Sequence, residues 1–79
     1  MKVSAEFTDT YGGEANYSWV RRVELEVPDT LSDRAVVRRV KKALGLEGLR
    51  ATRREHYGDF LTLWGLGGGC VVLFVNFNQ

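Results

Sequence analysis

Apolar and polar residues alternate in two segments near the start of the chain. Residues 2–8 (KVSAEFT) and residues 17–27 (YSWVRRVELEV) both show the period of two that is typical of half-buried strands. In the second segment Tyr17 and Trp19 share the apolar face, so we expect both rings to belong to the core. Arg21 interrupts that face, which indicates a strand near the edge of a sheet.

The stretch between these strands, YGGEANYS, can be built in two ways. Gly12 and Gly13 can adopt the positive φ angles of a tight bend. Residues 14–18 then form either a loop or the beginning of the second strand. Three side chains of this stretch are hard to bury beside two glycines, and an exposed tyrosine and carboxylate are typical of interfaces. These side chains are Tyr11, Glu14 and Asn16.

A helix is predicted over residues 33–44, because the signals for its start and its end agree. Ser32 is a favourable N-cap, and Asp33 suits the positive end of the helix dipole. Gly45 follows at the position where a left-handed residue commonly ends a helix. One apolar stripe runs along this helix and contains Val36, Val37, Val40, Ala43 and Leu44.

Three extended segments follow the helix. Residues 49–56 are polar and suit an edge strand, whereas residues 60–64 and 70–77 are short and apolar. Residues 57–59 and the glycine-rich residues 65–69 form turns between them. Because both faces of the last segment carry large apolar groups, we expect it to be a central strand.

The element order is therefore ββαβββ, in a single domain that spans residues 1–79. The fold class is α+β, with one helix packed on a mostly antiparallel sheet. An opening hairpin followed by a helix also fits a β-grasp-like arrangement, in which the last strand lies beside the first. The sequence alone leaves both arrangements open.

Composition narrows the class of protein. With 44% hydrophobic and 27% charged residues, the chain is too apolar for a disordered protein. No apolar run reaches the length of about 18 residues that a membrane span requires. The start, MKVSAEFTDT, lacks the apolar region of a signal peptide. We therefore expect a cytoplasmic protein without membrane contact.

The net charge of +1 conceals a strong asymmetry along the chain. Residues 1–33 hold seven acidic and three basic side chains, a net of −4. Residues 34–55 hold eight basic and two acidic side chains, a net of +6, and residues 56–79 contribute −1. This segregation is a better guide to binding partners than the total charge.

The basic residues of the predicted helix lie opposite its valine stripe, and Asp33 is its only acid. The helix has no Glu–Lys pairs four residues apart that would balance its positive charges. An unbalanced basic face suits phosphates or an acidic protein surface. An exposed basic face without a partner is the alternative. The predicted basic contact set is Arg34, Arg38, Arg39, Lys41, Lys42, Arg53 and Arg54. The predicted acidic contact set joins Glu24 and Glu26 to Tyr11, Glu14 and Asn16.

Residue types that perform catalysis are scarce. Glu55 and His56 are neighbours on a predicted strand, so their side chains point to opposite faces and cannot act as an acid–base pair. A pair of His56 with Cys70 would lack a third group, and one cysteine and one histidine fall short of the roughly four ligands of a zinc site. We therefore predict no catalytic residue, no metal and no cofactor. Cys70 is a candidate for an intermolecular disulfide, which predicts a monomer or a Cys70-linked dimer.

Three stretches, YGGEANYSWVRR, SDRAVVRRVKKALGL and the apolar strand that opens with GC, resemble small proteins encoded by phages and mobile elements. In its size, its single domain and its lack of catalytic groups, the chain is similar to type I anti-CRISPR proteins. The resemblance implies binding to a CRISPR effector complex in the host cytoplasm. Many of those proteins are acidic DNA mimics, and the basic helix departs from that pattern. They share no common motif, so the resemblance assigns no residue.

Two functions are therefore expected as alternatives. The first is a non-enzymatic inhibitor that binds a type I effector complex and blocks target-DNA binding or nuclease recruitment. The second is a small nucleic-acid-binding regulator that uses the basic helix face. An enzyme would require a pocket that joins His56, Cys70 and a carboxylate.

Overall fold

The computed structural model describes residues 1–77, and this range contains one α-helix and five β-strands. The elements are β1 (Lys2–Tyr11), β2 (Glu14–Glu26), α1 (Asp33–Leu44), β3 (Arg53–Tyr57), β4 (Phe60–Trp64) and β5 (Val71–Asn76), with a short 3₁₀ turn (Leu66–Gly68) before β5. The predicted ββαβββ order is confirmed, and the fold is α+β. The last two residues of the predicted domain lie outside the described part of the chain.

All five strands form one sheet in the order β2-β1-β5-β4-β3, and each neighbouring pair is antiparallel. The apolar strand β5 lies at the centre and the polar strand β3 lies at an edge, which confirms both predictions. The last strand also lies beside the first, as in the β-grasp-like alternative, and the two are antiparallel. β2, whose apolar face Arg21 interrupts, forms the other edge.

The core lies between α1 and one face of the sheet. Ala5, Val75 and Leu61 are cross-strand neighbours on β1, β5 and β4, so their side chains point to the same face. The buried residues of this core include Val3, Ala5 and Phe7 of β1, Leu61 and Leu63 of β4, Leu73 and Val75 of β5, and Val36, Val40 and Leu44 of α1. The opposite face of the sheet carries no helix within residues 1–77.

Both predicted helix caps are present. The Ser32 hydroxyl accepts a hydrogen bond from the Ala35 amide at 3.2 Å, and Gly45 adopts a left-handed conformation with a φ of 73°. The apolar stripe is narrower than predicted. Val36, Val40 and Leu44 are buried, whereas Val37 is partly buried and Ala43 is exposed. The helix therefore packs on the sheet mainly through one row of residues four apart, and Val37 packs against the margin of the core.

The β1–β2 hairpin is tight at its end and irregular further back. Gly12 and Gly13 both have positive φ angles, and Tyr11 pairs directly with Glu14 across this two-residue turn. The residues after the glycines therefore begin β2 rather than form a loop. The register shifts between Thr8 and Thr10 of β1, which creates a bulge in β2.

The prediction that Tyr17 and Trp19 belong to the core is wrong. Tyr17 is 49% exposed, and its φ of 55° shows that the bulge breaks the strand alternation. Trp19 is 40% exposed, although its ring packs 5.2 Å from the ring of Phe7. Both residues lie in the part of the hairpin where β2 departs from regular pairing, so strand parity does not bring them under the helix.

Candidate functional site

Basic side chains from three parts of the chain surround a groove between α1 and β3. The groove has a volume of about 480 Å³. Its apolar part consists of Val37, Ala51, Leu61 and Leu63. Five cations complete its lining, namely Arg34, Arg38 and Lys41 of α1, Arg50 of the following loop and Arg54 of β3.

A second depression of about 530 Å³ adjoins this groove. It shares Arg38, Lys41 and Arg50 with the groove, and it adds Arg39 and Lys42 from the helix and one carboxylate, Glu47, from the following loop. The two depressions therefore form one continuous basic surface. We use this name for Arg34, Arg38, Arg39, Lys41, Lys42, Arg50 and Arg54.

The cations of the basic surface form no salt bridge within residues 1–77, although Glu47 lines the second depression with them. Two arginines elsewhere in this range have carboxylate partners: Arg22 Nε lies 2.7 Å from Glu6 Oε2, and Arg53 lies 3.8 Å from Glu55 Oε1. No salt bridge between described residues involves any member of the basic surface. Seven like charges on one surface repel one another, and a bound anion would relieve that repulsion.

Lys41 is the least accessible member of the basic surface. Its Nζ donates a hydrogen bond to the Leu49 carbonyl oxygen at 2.7 Å and so ties the helix to the loop that follows. Burial lowers the pKa of Lys41, and the positive charge of Arg50 lowers it further. An anion in the groove would favour the charged form of this lysine.

The structure brings together six of the seven predicted basic residues and separates the seventh. Arg53 and Arg54 are successive residues of β3, so their side chains point to opposite faces of the sheet. The Arg53 guanidinium lies 4.8 Å from the centre of the Trp64 ring and 3.8 Å from Glu55 Oε1. The grouping of Arg53 with the helix is therefore corrected. Arg50 takes its place, because the loop after the helix returns it to the groove.

The predicted acidic set lies along β2, at the opposite edge of the sheet, with Tyr11 at the adjoining end of β1. Tyr11 and Glu14 flank the hairpin turn and are exposed, as is Glu24. Glu26 Oε1 lies 3.6 Å from the Met1 amine. Asn16 has a structural contact, because its amide donates a hydrogen bond to Asp9 Oδ2 at 2.9 Å. The acidic and basic sets are therefore not parts of one site.

Asp9 holds the bulge of the hairpin together. Besides the Asn16 amide, its carboxylate accepts the Ser18 backbone N–H at 3.0 Å and the Ser18 hydroxyl. The hydrogen bonds from Asn16 and Ser18 hold the pKa of Asp9 well below its usual range. The adjacent Thr8 hydroxyl donates to the Trp19 carbonyl oxygen at 2.6 Å, which satisfies the buried polar side chain of Thr8.

His56 and Cys70 do not form a pair. His56 on β3 is the cross-strand partner of Leu61 on β4, and Leu61 is in turn the partner of Val75 on β5. Cys70 lies just before the start of β5, five residues from Val75. Five residues along a strand separate the two positions by about 17 Å. The His56 side chain instead lies 3.9 Å from an Asp33 oxygen, and its ring lies 6.0 Å from the ring of Phe77.

Four aromatic residues on the sheet face away from the helix were not predicted as a site. Tyr57 is 71% exposed and Phe60 is 54% exposed, and the two are cross-strand partners. Phe74 and Trp64 continue the row, with their ring centres 6.4 Å apart. We call Tyr57, Phe60, Phe74 and Trp64 the aromatic row. The alternation of FLTLW places Phe60 and Trp64 on one face, but the strand register was needed to add Tyr57 and Phe74.

Comparisons with known proteins identify no relative. No family model matches the chain, and neither a curated protein nor a solved structure matches it. Residues 1–77 contain no group of three or more His, Cys, Asp or Glu side chains arranged to hold a metal ion. The helix of this range is too short and too polar to cross a membrane. The basic surface and the aromatic row are the features from which function can be inferred.

Proposed function

We propose that this protein is a non-enzymatic binding protein whose basic surface holds a phosphate backbone. The observation that supports the proposal is the gathering of seven cations on one surface, none of which has a carboxylate partner within residues 1–77. Phosphate oxygens suit such a surface, because arginine guanidinium groups form paired, charge-assisted hydrogen bonds with them.

The shape of the groove suits a backbone better than a single ion. Cations of α1 lie on one side, Arg50 and Arg54 contribute from the loop and β3, and aliphatic side chains lie between them. Phosphates along a chain can contact the cations in succession, while the sugar carbons cover the aliphatic part. Such contacts position a nucleic acid without selecting a base sequence.

The phosphate backbone can come from two sources. A free nucleic acid would make the protein a small nucleic-acid-binding regulator. The guide RNA of a type I CRISPR effector complex would make it an inhibitor of that complex. The second source is favoured by the acidic residues of β2, which lie on the opposite edge strand, four strand spacings or about 19 Å away. An inhibitor could use that edge for the protein component of the complex.

Fluorescence anisotropy with labelled RNA and DNA tests the binding of phosphates. We expect the logarithm of the association constant to fall linearly with the logarithm of the salt concentration, by about 0.7 per neutralised phosphate for a single strand and about 0.9 for a duplex. Arg38→Ala should weaken binding and reduce this slope by roughly one phosphate contact. Arg21→Ala is the matched control, because Arg21 is an exposed arginine on the distant edge strand β2.

If no RNA or DNA probe binds at low salt, the proposal that the protein binds a free nucleic acid is refuted.

Co-purification of the tagged protein with a purified type I effector complex tests the second source. Arg38→Ala on the basic surface and Glu24→Ala on β2 should each reduce the amount of complex retained if both surfaces make contact. Failure of the complex to co-purify at low and at moderate salt would refute inhibition by direct binding.

A further inference from the structure

Resting on the proposed function, we infer that the nucleic acid is single-stranded and that its bases stack on the aromatic row. The backbone then follows the basic surface, and the strand passes over the edge strand β3 to the sheet face that carries the rings. This assigns a base-binding site to a surface that the sequence did not identify.

The aromatic row follows from the register of three strands. Tyr57 on β3 is opposite Phe60 on β4, and Phe60 is opposite Asn76 on β5. Phe74 lies two residues before Asn76 on the same face, and Trp64 is the cross-strand partner of Val72. The rings therefore follow a zigzag over β3, β4 and β5, in which Phe74 on β5 lies level with the midpoint between Phe60 and Trp64 on β4. Long side chains bridge such distances.

The rings of this row differ in their availability to a ligand. Tyr57 and Phe60 expose most of their surface, and Phe60 and Phe74 line a depression of about 360 Å³. Trp64 is more restricted, because its Nε1 donates to Glu55 Oε1 at 2.6 Å and the Arg53 guanidinium covers its ring. Bases stack on exposed aromatic rings independently of sequence, and Tyr57 and Phe60 offer such rings, with the partly exposed Phe74 beside them.

The charges on this face limit the path of a strand. Glu6, Arg22 and Glu24 line the β1–β2 side of the same depression. Because Arg22 pairs with Glu6 at 2.7 Å, Glu24 is the carboxylate there that would repel phosphates.

On β3, Arg54 lies in the basic groove and Arg53 lies on the ring face. Glu55 lies on the ring face as well, 3.8 Å from Arg53, and it accepts the hydrogen bond from Trp64. The positive charge of Arg54 therefore favours the β3 edge as the place where a phosphate backbone passes between the two faces, and the charge of Glu24 disfavours the β2 side.

Single strands fit this arrangement and duplexes do not. In a duplex the faces of the bases are stacked on one another, whereas the unstacked bases of a single strand can be splayed onto protein rings. A duplex could reach the basic surface through its phosphates, but its bases could not reach Tyr57 or Phe60. Preference for single strands is therefore the property that separates this inference from general phosphate binding.

The test uses a fluorescein-labelled RNA of mixed sequence and about 12 nucleotides, within the range of single-strand site sizes, alone and annealed to its complement. Tyr57→Ala and Phe60→Ala should each raise the dissociation constant for the single strand by about 5- to 100-fold, the effect expected for loss of one stacked base. Neither variant should change binding of the duplex. Tyr57→Phe keeps the ring and should bind like the wild type.

Tyr11→Ala is the matched control, because Tyr11 is also an exposed tyrosine but lies at the hairpin turn, away from the row. Tryptophan fluorescence gives a second measurement. In a Trp19→Phe background Trp64 is the remaining tryptophan, and its emission should change when the single strand binds but not when the duplex binds.

The outcomes separate this inference from the proposed function. Equal affinity for both probes, together with no effect of Tyr57→Ala or Phe60→Ala, would overturn the inference and leave phosphate binding intact. No binding of either probe would overturn both. A wild-type dimer that Phe60→Ala converts to a monomer in sedimentation experiments would show that a second copy covers the rings, and would also overturn the inference.

Discussion

Asp9 shows how one side chain replaces lost backbone pairing. Where the β1–β2 register shifts, its carboxylate accepts hydrogen bonds from the Asn16 amide and the Ser18 backbone N–H. These bonds lower the pKa of Asp9, so the folded state binds fewer protons than the unfolded chain below about pH 4. The stabilisation is therefore complete above that pH and is lost as the pH falls.

Asp9→Asn should reduce this dependence on acid. We expect the free energy of unfolding of the wild type to fall more between neutral pH and about pH 3 than that of the variant, because the variant has no carboxylate to protonate at this position. Urea denaturation at both pH values measures the difference. Equal losses in the two proteins would show that Asp9 titrates in the same way in the folded and unfolded states.

Single residues were predicted least well where the backbone leaves its regular path. Strand parity placed Tyr17 and Trp19 in the core, but parity holds only while each residue advances the strand by one regular step. The positive φ of Tyr17 and the shift between Thr8 and Thr10 break that condition. The sequence contains the carboxylate and the small polar residues of the bulge, but it does not show that they meet.

At the scale of the element, the helix was predicted to the residue. Its boundaries depend on contacts within a few residues, namely the Ser32 cap and the left-handed Gly45, and local sequence determines such contacts. The strands were predicted as elements with approximate ends. β3 begins at Arg53 rather than near residue 49, because the preceding loop crosses towards the 3₁₀ turn, where the Gly67 amide bonds to the Arg50 carbonyl oxygen.

Ser32→Ala should destabilise the protein by about 1 kcal/mol, because the Ala35 amide would lose its hydrogen bond at the helix start. Thr30→Ala is a suitable control, since Thr30 is exposed and precedes the cap, and its effect should stay within about 0.5 kcal/mol. Chemical denaturation gives both values. A loss for Ser32→Ala no larger than that for Thr30→Ala would mean that the cap contributes nothing measurable.

The sequence predicted the part of the candidate site that lies on a single helix, because the positions of those side chains depend on local periodicity. The helix periodicity placed its five basic residues on one face, and the structure brings Arg54 to the same groove. Arg53 was grouped with them because it is close in sequence, although the pleat of β3 points it to the other face. The aromatic row could not be found from single segments, since it depends on the pairing of three strands.

At the scale of the molecule, we expect binding to polyanions to depend more on where the positive charges lie than on the net charge. Arg38→Ala and Arg21→Ala each remove one positive charge and so lower the formal net charge from +1 to 0. We expect Arg38→Ala to elute from heparin at a lower salt concentration than Arg21→Ala, because Arg38 belongs to the basic surface and Arg21 lies on the distant edge strand. Retention on heparin near neutral pH measures this.

Indistinguishable elution of the two variants would show that heparin responds to the total charge alone, and the basic surface would then have no special affinity for a polyanion. A localised basic surface predicts a different pattern. Arg38→Ala should elute first, and the wild type and Arg21→Ala should elute together at a higher salt concentration. Because net charge is matched, differences in overall electrostatic repulsion do not enter the comparison.

The position of β5 has a consequence for the way the chain is made. Among the strands of residues 1–77, β5 is the last in sequence, yet it separates the β1–β2 hairpin from the β3–β4 hairpin and pairs with both. During synthesis the two hairpins can form early from neighbouring residues, but no backbone pairing joins them until residues 71–76 emerge. Multidomain proteins can fold one domain at a time on the ribosome. This sheet cannot be completed in such steps, because its two hairpins are joined only after β5 has been synthesised.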